Sequence, residues 1–86
     1  MFLDNEDPII TGCPGDLFQK TDTGETTGTV SWTPPTSTDN SGAPTLTSTH
    51  NPGDSFPVGS TTVTYTSTDA AGNEATCTFD IMIGTL

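Results

Sequence analysis

Between Phe56 and Ile83 the sequence FPVGSTTVTYTSTDAAGNEATCTFDIMI carries a period-two pattern twice, with a turn between the two runs. Val63 and Tyr65 alternate with Thr62, Thr64 and Thr66; then Ala75, Cys77, Phe79, Ile81 and Ile83 alternate with Thr76, Thr78, Asp80 and Met82. Successive side chains of a strand point to opposite faces, so each run has one apolar face and one wet face. The intervening Asp69-Ala70-Ala71-Gly72-Asn73 supplies an Asp that can bond its own backbone and a Gly-Asn pair that tolerates positive φ. This predicts a hairpin with one buried face. A lone hairpin is marginal in water, so the remaining chain must supply a second layer to cover it.

Eighty-six residues make one domain with one small core, near the size at which a covalent staple helps. Only 29% of the residues are hydrophobic, but the chain is rich in Thr, a good strand residue, which separates it from a disordered polar sequence. The formal net charge is −10, with one Lys or Arg against eleven Asp and Glu. No basic patch exists to neutralise phosphates, which argues against nucleic acid and anionic membrane surfaces as partners. An acidic surface suits a cation-rich extracellular setting, and it also simply keeps a secreted module soluble.

Cys13 and Cys77 stand near opposite ends and fit neither a redox nor a zinc spacing, and the single His50 offers no metal cluster. A Cys13 to Cys77 disulfide is the economical reading and implies an oxidising compartment; two buried free thiols are the alternative. The chain shows no signal-peptide pattern, no transmembrane run and no N-x-S/T acceptor. It reads as a module cut from a longer secreted or cell-surface protein, with Met1 supplied for expression.

Residues 1–7 read as an acidic linker, 8–83 as the domain and 84–86 as a tail. Ile9 to Cys13, bracketed by Pro8 and Pro14, reads as an edge strand. Asp16 to Lys20 is a second short segment with Leu17 and Phe18 as its apolar content, and Thr27 to Thr33 alternates, with Val30 and Trp32 on one side. Pro34-Pro35 stops that strand, and Thr36 to Gly42 reads as a loop. A strand over Pro44 to His50, with Leu46 and Ser48 inward, leads through an Asn51-Pro52-Gly53-Asp54 turn to Phe56 and Val58, expected at the end of the core. The expected core comprises Val30, Trp32, Leu46, Phe56, Val63, Tyr65, Phe79 and Ile81. Short strands at intervals of about 8 to 12 residues and no helical period predict an all-β sandwich of about seven strands.

Several motifs occur in order: Cys13-Pro14 with Asp16, Val30-Ser31-Trp32-Thr33-Pro34-Pro35, Asp39-Asn40-Ser41-Gly42, Pro52-Gly53, Phe56-Pro57-Val58-Gly59, Val63-Thr64-Tyr65, Thr68-Asp69-Ala70-Ala71-Gly72-Asn73 and Cys77-Thr78-Phe79. Over about Asp4 to Ile83 the chain resembles the hyalin repeat, or HYR, family. The resemblance implies an immunoglobulin-like sandwich related to fibronectin type III modules. It also implies tandem arrangement in large extracellular proteins, beside sushi and EGF-like modules in some, and a part in cell adhesion in a calcium-dependent extracellular layer. Fold transfers through such a resemblance better than function does.

No motif frames His50 as a catalytic base, and no substrate cleft is suggested for the carboxylates, so the chain reads as no enzyme. Calcium needs clustered hard oxygens, and Asp4, Asn5, Glu6 and Asp7 are dense in them at a junction between modules. Asp39, and Asp69 with Asn73, are the other oxygen-rich positions, but Asp and Asn at turns more often cap backbone amides. The Thr-rich outer faces offer a polar surface without outward aromatic platforms for sugar. The sequence thus reads as a non-catalytic extracellular adhesion or structural module whose partners are tandem neighbours and matrix or cell-surface proteins, without direct membrane insertion. An accessory or carbohydrate-binding module of a secreted enzyme is the alternative.

Overall fold

The computed structural model describes residues 7–39 and 44–85. Eight strands occur among them: β1 Ile9–Thr11, β2 Leu17–Lys20, β3 Thr27–Thr29, β4 Thr36–Thr38, β5 Thr45–Ser48, β6 Ser55–Pro57, β7 Gly59–Thr68 and β8 Glu74–Gly84. The long β7–β8 hairpin is the frame. In its register Val63 faces Phe79 and Tyr65 faces Cys77, all buried, while Thr64 faces Thr78 and Thr66 faces Thr76 on the outer side. Thr62 Oγ1 donates to Asp80 Oδ1 at 2.8 Å, a cross-strand bond on that wet face.

β2 and β5 flank the hairpin to give a four-stranded sheet in the order β2-β8-β7-β5. β5 pairs antiparallel with β7, whereas β2 runs parallel to β8, with Leu17 opposite Ile81. Two antiparallel ribbons, β1–β4 and β3–β6, supply the second layer of the sandwich. Between the layers lie Val30, Phe56, Val63, Tyr65, Cys77, Phe79, Ile81 and Ile83, with Ile10, Leu17, Trp32 and Leu46 packed against them. Trp32 packs edge-on against Phe79, with centroids 5.3 Å apart, and its Nε1–H donates to the Tyr65 hydroxyl at 2.9 Å. That bond satisfies the polar tips of both rings in a half-buried place.

Gly28 stands at a close approach between layers. It pairs with Phe56, and a Cβ at this position would meet Ile83 Cδ1 and the Lys20 carbonyl oxygen, each at 3.0 Å. The backbone of β3 thereby approaches the ends of β2 and β8 so closely that a Cβ here would require its neighbours to shift.

Structure and expectation differ at a few positions. The expected strand over Thr27 to Thr33 ends at Thr29, although Val30 still donates its N–H to the Asp54 carbonyl at 3.2 Å. Part of the expected loop after Pro35 is strand: Thr36–Thr38 pairs with β1, one of the eight strands among the described residues, in keeping with the about seven expected. Three residues rich in Thr suffice there, because the ribbon needs only one partner. Trp32 and Leu46 are half-buried instead of enclosed, and Ser48, on the outer strand β5, is exposed. Val58 does not cover the core. It is 50% exposed, while its neighbour Phe56 is 1% exposed.

Between β2 and β3 the chain turns at Asp22, whose carboxylate accepts the Thr29 hydroxyl at 2.6 Å and the Thr29 N–H at 3.1 Å. The hydroxyl first, and then the amide, hold the Asp22 carboxyl below its ordinary value. A depressed folded-state pKa contributes stability above the unfolded value, and that contribution disappears as pH falls through the folded value. Thr29→Ala is therefore expected to raise the Asp22 titration midpoint, followed by carboxyl NMR. An unmoved midpoint would show that the hydroxyl is not the cause.

Candidate functional site

The disulfide and the parallel pair give the sandwich two distinct ends. Cys13 is bonded to Cys77 with Cα atoms 6.0 Å apart and a sequence separation of 64, and Leu17 pairs with Ile81 at the same offset. The first strands thus run alongside β8 in one register, so the chain enters beside the Asp69–Asn73 turn and leaves at the opposite end, past Gly84.

At the entry end lie Asp7, Asp39 and the Asp69–Asn73 turn. Ile9 pairs with Thr38, which sets Pro8 and Asp7 beside Asp39 at the end of the β1–β4 ribbon. Asp69 is 6% exposed. Its Oδ1 accepts the N–H groups of Ala71 at 3.0 Å and Asn73 at 2.8 Å, and its Oδ2 accepts Asn73 Nδ2 at 3.0 Å. Backbone bonds from Asp69 N to Asn73 O and from Gly72 N to Asp69 O close the reversal, with Gly72 at a φ of 90°. Asp69 and Asn73 therefore lock the hairpin turn.

Among the described residues no three His, Cys, Asp or Glu side chains lie close enough together to hold one metal ion. Asp4, Asn5 and Glu6 lie outside the described residues, and so does Asn40. Replacing Asp69 by Ala removes the acceptor of the Ala71 and Asn73 amides and of the Asn73 carboxamide, and hydrogen bonds to a charged group contribute about 1.5–3 kcal/mol each before relaxation. The expected loss for Asp69→Ala is about 3 kcal/mol by urea denaturation, the same with calcium as with chelator. A loss seen only with calcium would assign the carboxylate to an ion instead.

His50 closes β5, its Nδ1 2.8 Å from Thr49 Oγ1 and its ring 5.4 Å from that of Phe56. Neither a Ser or Cys nucleophile nor an orienting carboxylate is bonded to the ring among the described residues. No helix among them is long and apolar enough to cross a membrane.

At the exit end lies a different surface. Phe18, Gln19, Lys20, Gly59, Met82 and Gly84 line a shallow open groove of about 670 Å³. Phe18 pairs with Met82 across the β2–β8 ladder on the outer face, and Phe18 is 77% exposed. Sequence reasoning did not single out these residues. One signal was present: Leu17 and Phe18 are adjacent, so a strand can bury only one of them.

These features define a class: a small extended β-sandwich, stapled once, entered at one end and left at the other, with no catalytic constellation among its described residues. The chain belongs to the HYR domain family, whose model matches residues 3–83. It is 44% identical over 81 residues to hyalin of Strongylocentrotus purpuratus, an alignment covering 92% of this chain and 7% of that protein. To hyalin of Lytechinus variegatus it is 46% identical over 82 residues, covering 94% of the chain and 16% of the relative. It is also 41% identical over 83 residues to the sushi, von Willebrand factor type A, EGF and pentraxin domain-containing protein 1 of Rattus norvegicus, covering 93% of the chain and 2% of that protein. The chain thus spans only a small part of the length of these relatives. No solved structure matches it.

Proposed function

We propose that this chain acts as a non-catalytic adhesion or structural module of a larger extracellular protein, making contacts with proteins or matrix. The observation that carries this reading is the near-complete coverage of the chain by hyalin at 44–46% identity, in alignments that take up only 7–16% of those proteins. The disulfide supports an oxidising location. A small stapled sandwich with a Thr-rich wet face has a large surface for its mass, which suits contact with other molecules.

Calcium enters this reading only through the junction acids Asp4, Asn5, Glu6 and Asp7, since Asp69 and Asn73 already serve the turn. Beads coupled to the oxidised protein are expected to adhere to matrix-coated surfaces, or to one another, above the level of beads carrying an unrelated acidic protein. Equal adhesion of the two would remove the proposal, and running both arms with calcium and with chelator reads any ion dependence directly.

A further inference from the structure

The groove at the exit end combines an unpartnered apolar surface with the one cationic side chain of the protein. Phe18 and Met82 form its floor, and Lys20 stands at its rim with Nζ 3.5 Å from the Thr85 carbonyl and its stem against Gly84. With a single Lys or Arg among 86 residues and a net charge of −10, no other surface of the chain is comparably suited to an acidic partner. β2 is also the outer strand of its sheet, so no neighbour covers Phe18 from the side.

The entry segment Phe2-Leu3-Asp4-Asn5-Glu6-Asp7 has the complementary chemistry, two large apolar residues followed by three acids and an amide. Its own groove is out of reach. Pro8 is buried near the level of the hairpin turn, and Met82 lies ten residues along β8 from Gly72, about 33 Å at strand rise. Six residues back from Pro8 span at most about 22 Å. The entry segment of a following copy faces no such limit, because the chain leaves one copy at the groove.

We propose that the exit groove is the seat for the entry segment of a following copy, with Phe2 and Leu3 against Phe18 and Met82 and the acids of Asp4 to Asp7 toward Lys20. Apolar burial supplies the affinity in such a contact, and the rim charges set its direction and register. The contact is heterologous, so it propagates along a string of modules and fixes the angle between them. Such stacking presupposes that the chain is one module among several, as proposed above, but does not require that it adhere to anything.

The test compares the single chain with two full copies joined in one polypeptide, with only the first copy carrying a methyl-labelled Met82. On joining, the Met82 methyl resonance is expected to shift and to be protected from broadening by a soluble paramagnetic agent. Phe2→Ser with Leu3→Ser in the second copy should return both to the single-chain values. Phe18→Ser in the first copy should reduce the protection while leaving the melting temperature of the single chain unchanged, since Phe18 is exposed. An unshifted methyl overturns the proposal, and so does a shift that survives the Phe2 and Leu3 substitutions. Failure of bead adhesion with Met82 protected removes only the adhesive reading; adhesion with Met82 unprotected removes only this one.

Discussion

Replacing Cys13 and Cys77 together by Ser is expected to lower the melting temperature by roughly 15–30 °C. The bond closes a separation of 64 residues, which in the chain-entropy account restricts the unfolded state by about 4 kcal/mol. For a domain of this length each kcal/mol moves the midpoint by about 4–8 °C. A domain of 86 residues is stable by about 4–13 kcal/mol in total, so the loss reaches a third or more of the whole. Calorimetry of the variant, beside the parent protein reduced in the same buffer, measures it. A fall of less than about 5 °C in both would mean that the β2–β8 ladder alone holds the early strands to the last one.

The second large effect is expected at Phe56. Its ring is enclosed, with centroids 6.1 Å from Trp32 and 5.4 Å from His50, and it belongs to β6, a three-residue strand paired only with β3. Large-to-small substitution of a buried Phe costs about 3–5 kcal/mol, the lost transfer energy plus the cavity left behind. Phe56→Ala is therefore expected to lose about 4 kcal/mol by urea denaturation, whereas Phe56→Leu, which keeps most of the volume, should lose under about 1.5 kcal/mol. Equal losses for Ala and Leu would indicate that ring contacts, not volume, anchor the β3–β6 ribbon. Because Gly28 lies opposite Phe56, the ribbon has no side chain on that partner position to compensate.

Both effects concern the second layer, whose strands are short and whose hold on the central hairpin is indirect. The four-stranded sheet is secured by the long β7–β8 ladder. The β1–β4 ribbon depends on the disulfide just beyond β1, and the β3–β6 ribbon depends on Phe56 inserted between the layers. In a string of modules the same staple lies between the entry strand and the exit strand, so tension applied at the two ends passes close to it.

The hairpin was legible in the sequence because its determinants are local. Alternation of Val63, Tyr65, Cys77, Phe79 and Ile81 with Thr decides which side chains share a face, and Asp69 to Asn73 contains every group the turn uses. The disulfide followed from there being two cysteines in a pattern that fits neither a redox nor a zinc site, and the sandwich class from short strands at regular intervals with no helical period; the motifs shared with the HYR family pointed the same way. The turn role of Asp69 and Asn73 also followed from residue type.

Pairing partners belong to the tertiary structure. Nothing in Leu17–Lys20 states that it runs parallel to β8, yet that register turns Leu17, half-buried, toward the core and sets Phe18 outward beside Met82. The β4 strand exists because β1 lies next to it, not because Thr36–Thr38 differs from any other Thr-rich loop. Val58 has the side chain of a core residue and is exposed: it stands between the end of β6 and the start of β7, outside either strand. Local chemistry along this chain determined the faces, turns and staple, because those depend on neighbours in sequence. The joining of Phe18, Lys20 and Met82 into one groove at the exit end was decided only by register, because residues 62 to 64 apart in the chain become neighbours through long-range hydrogen bonding and burial.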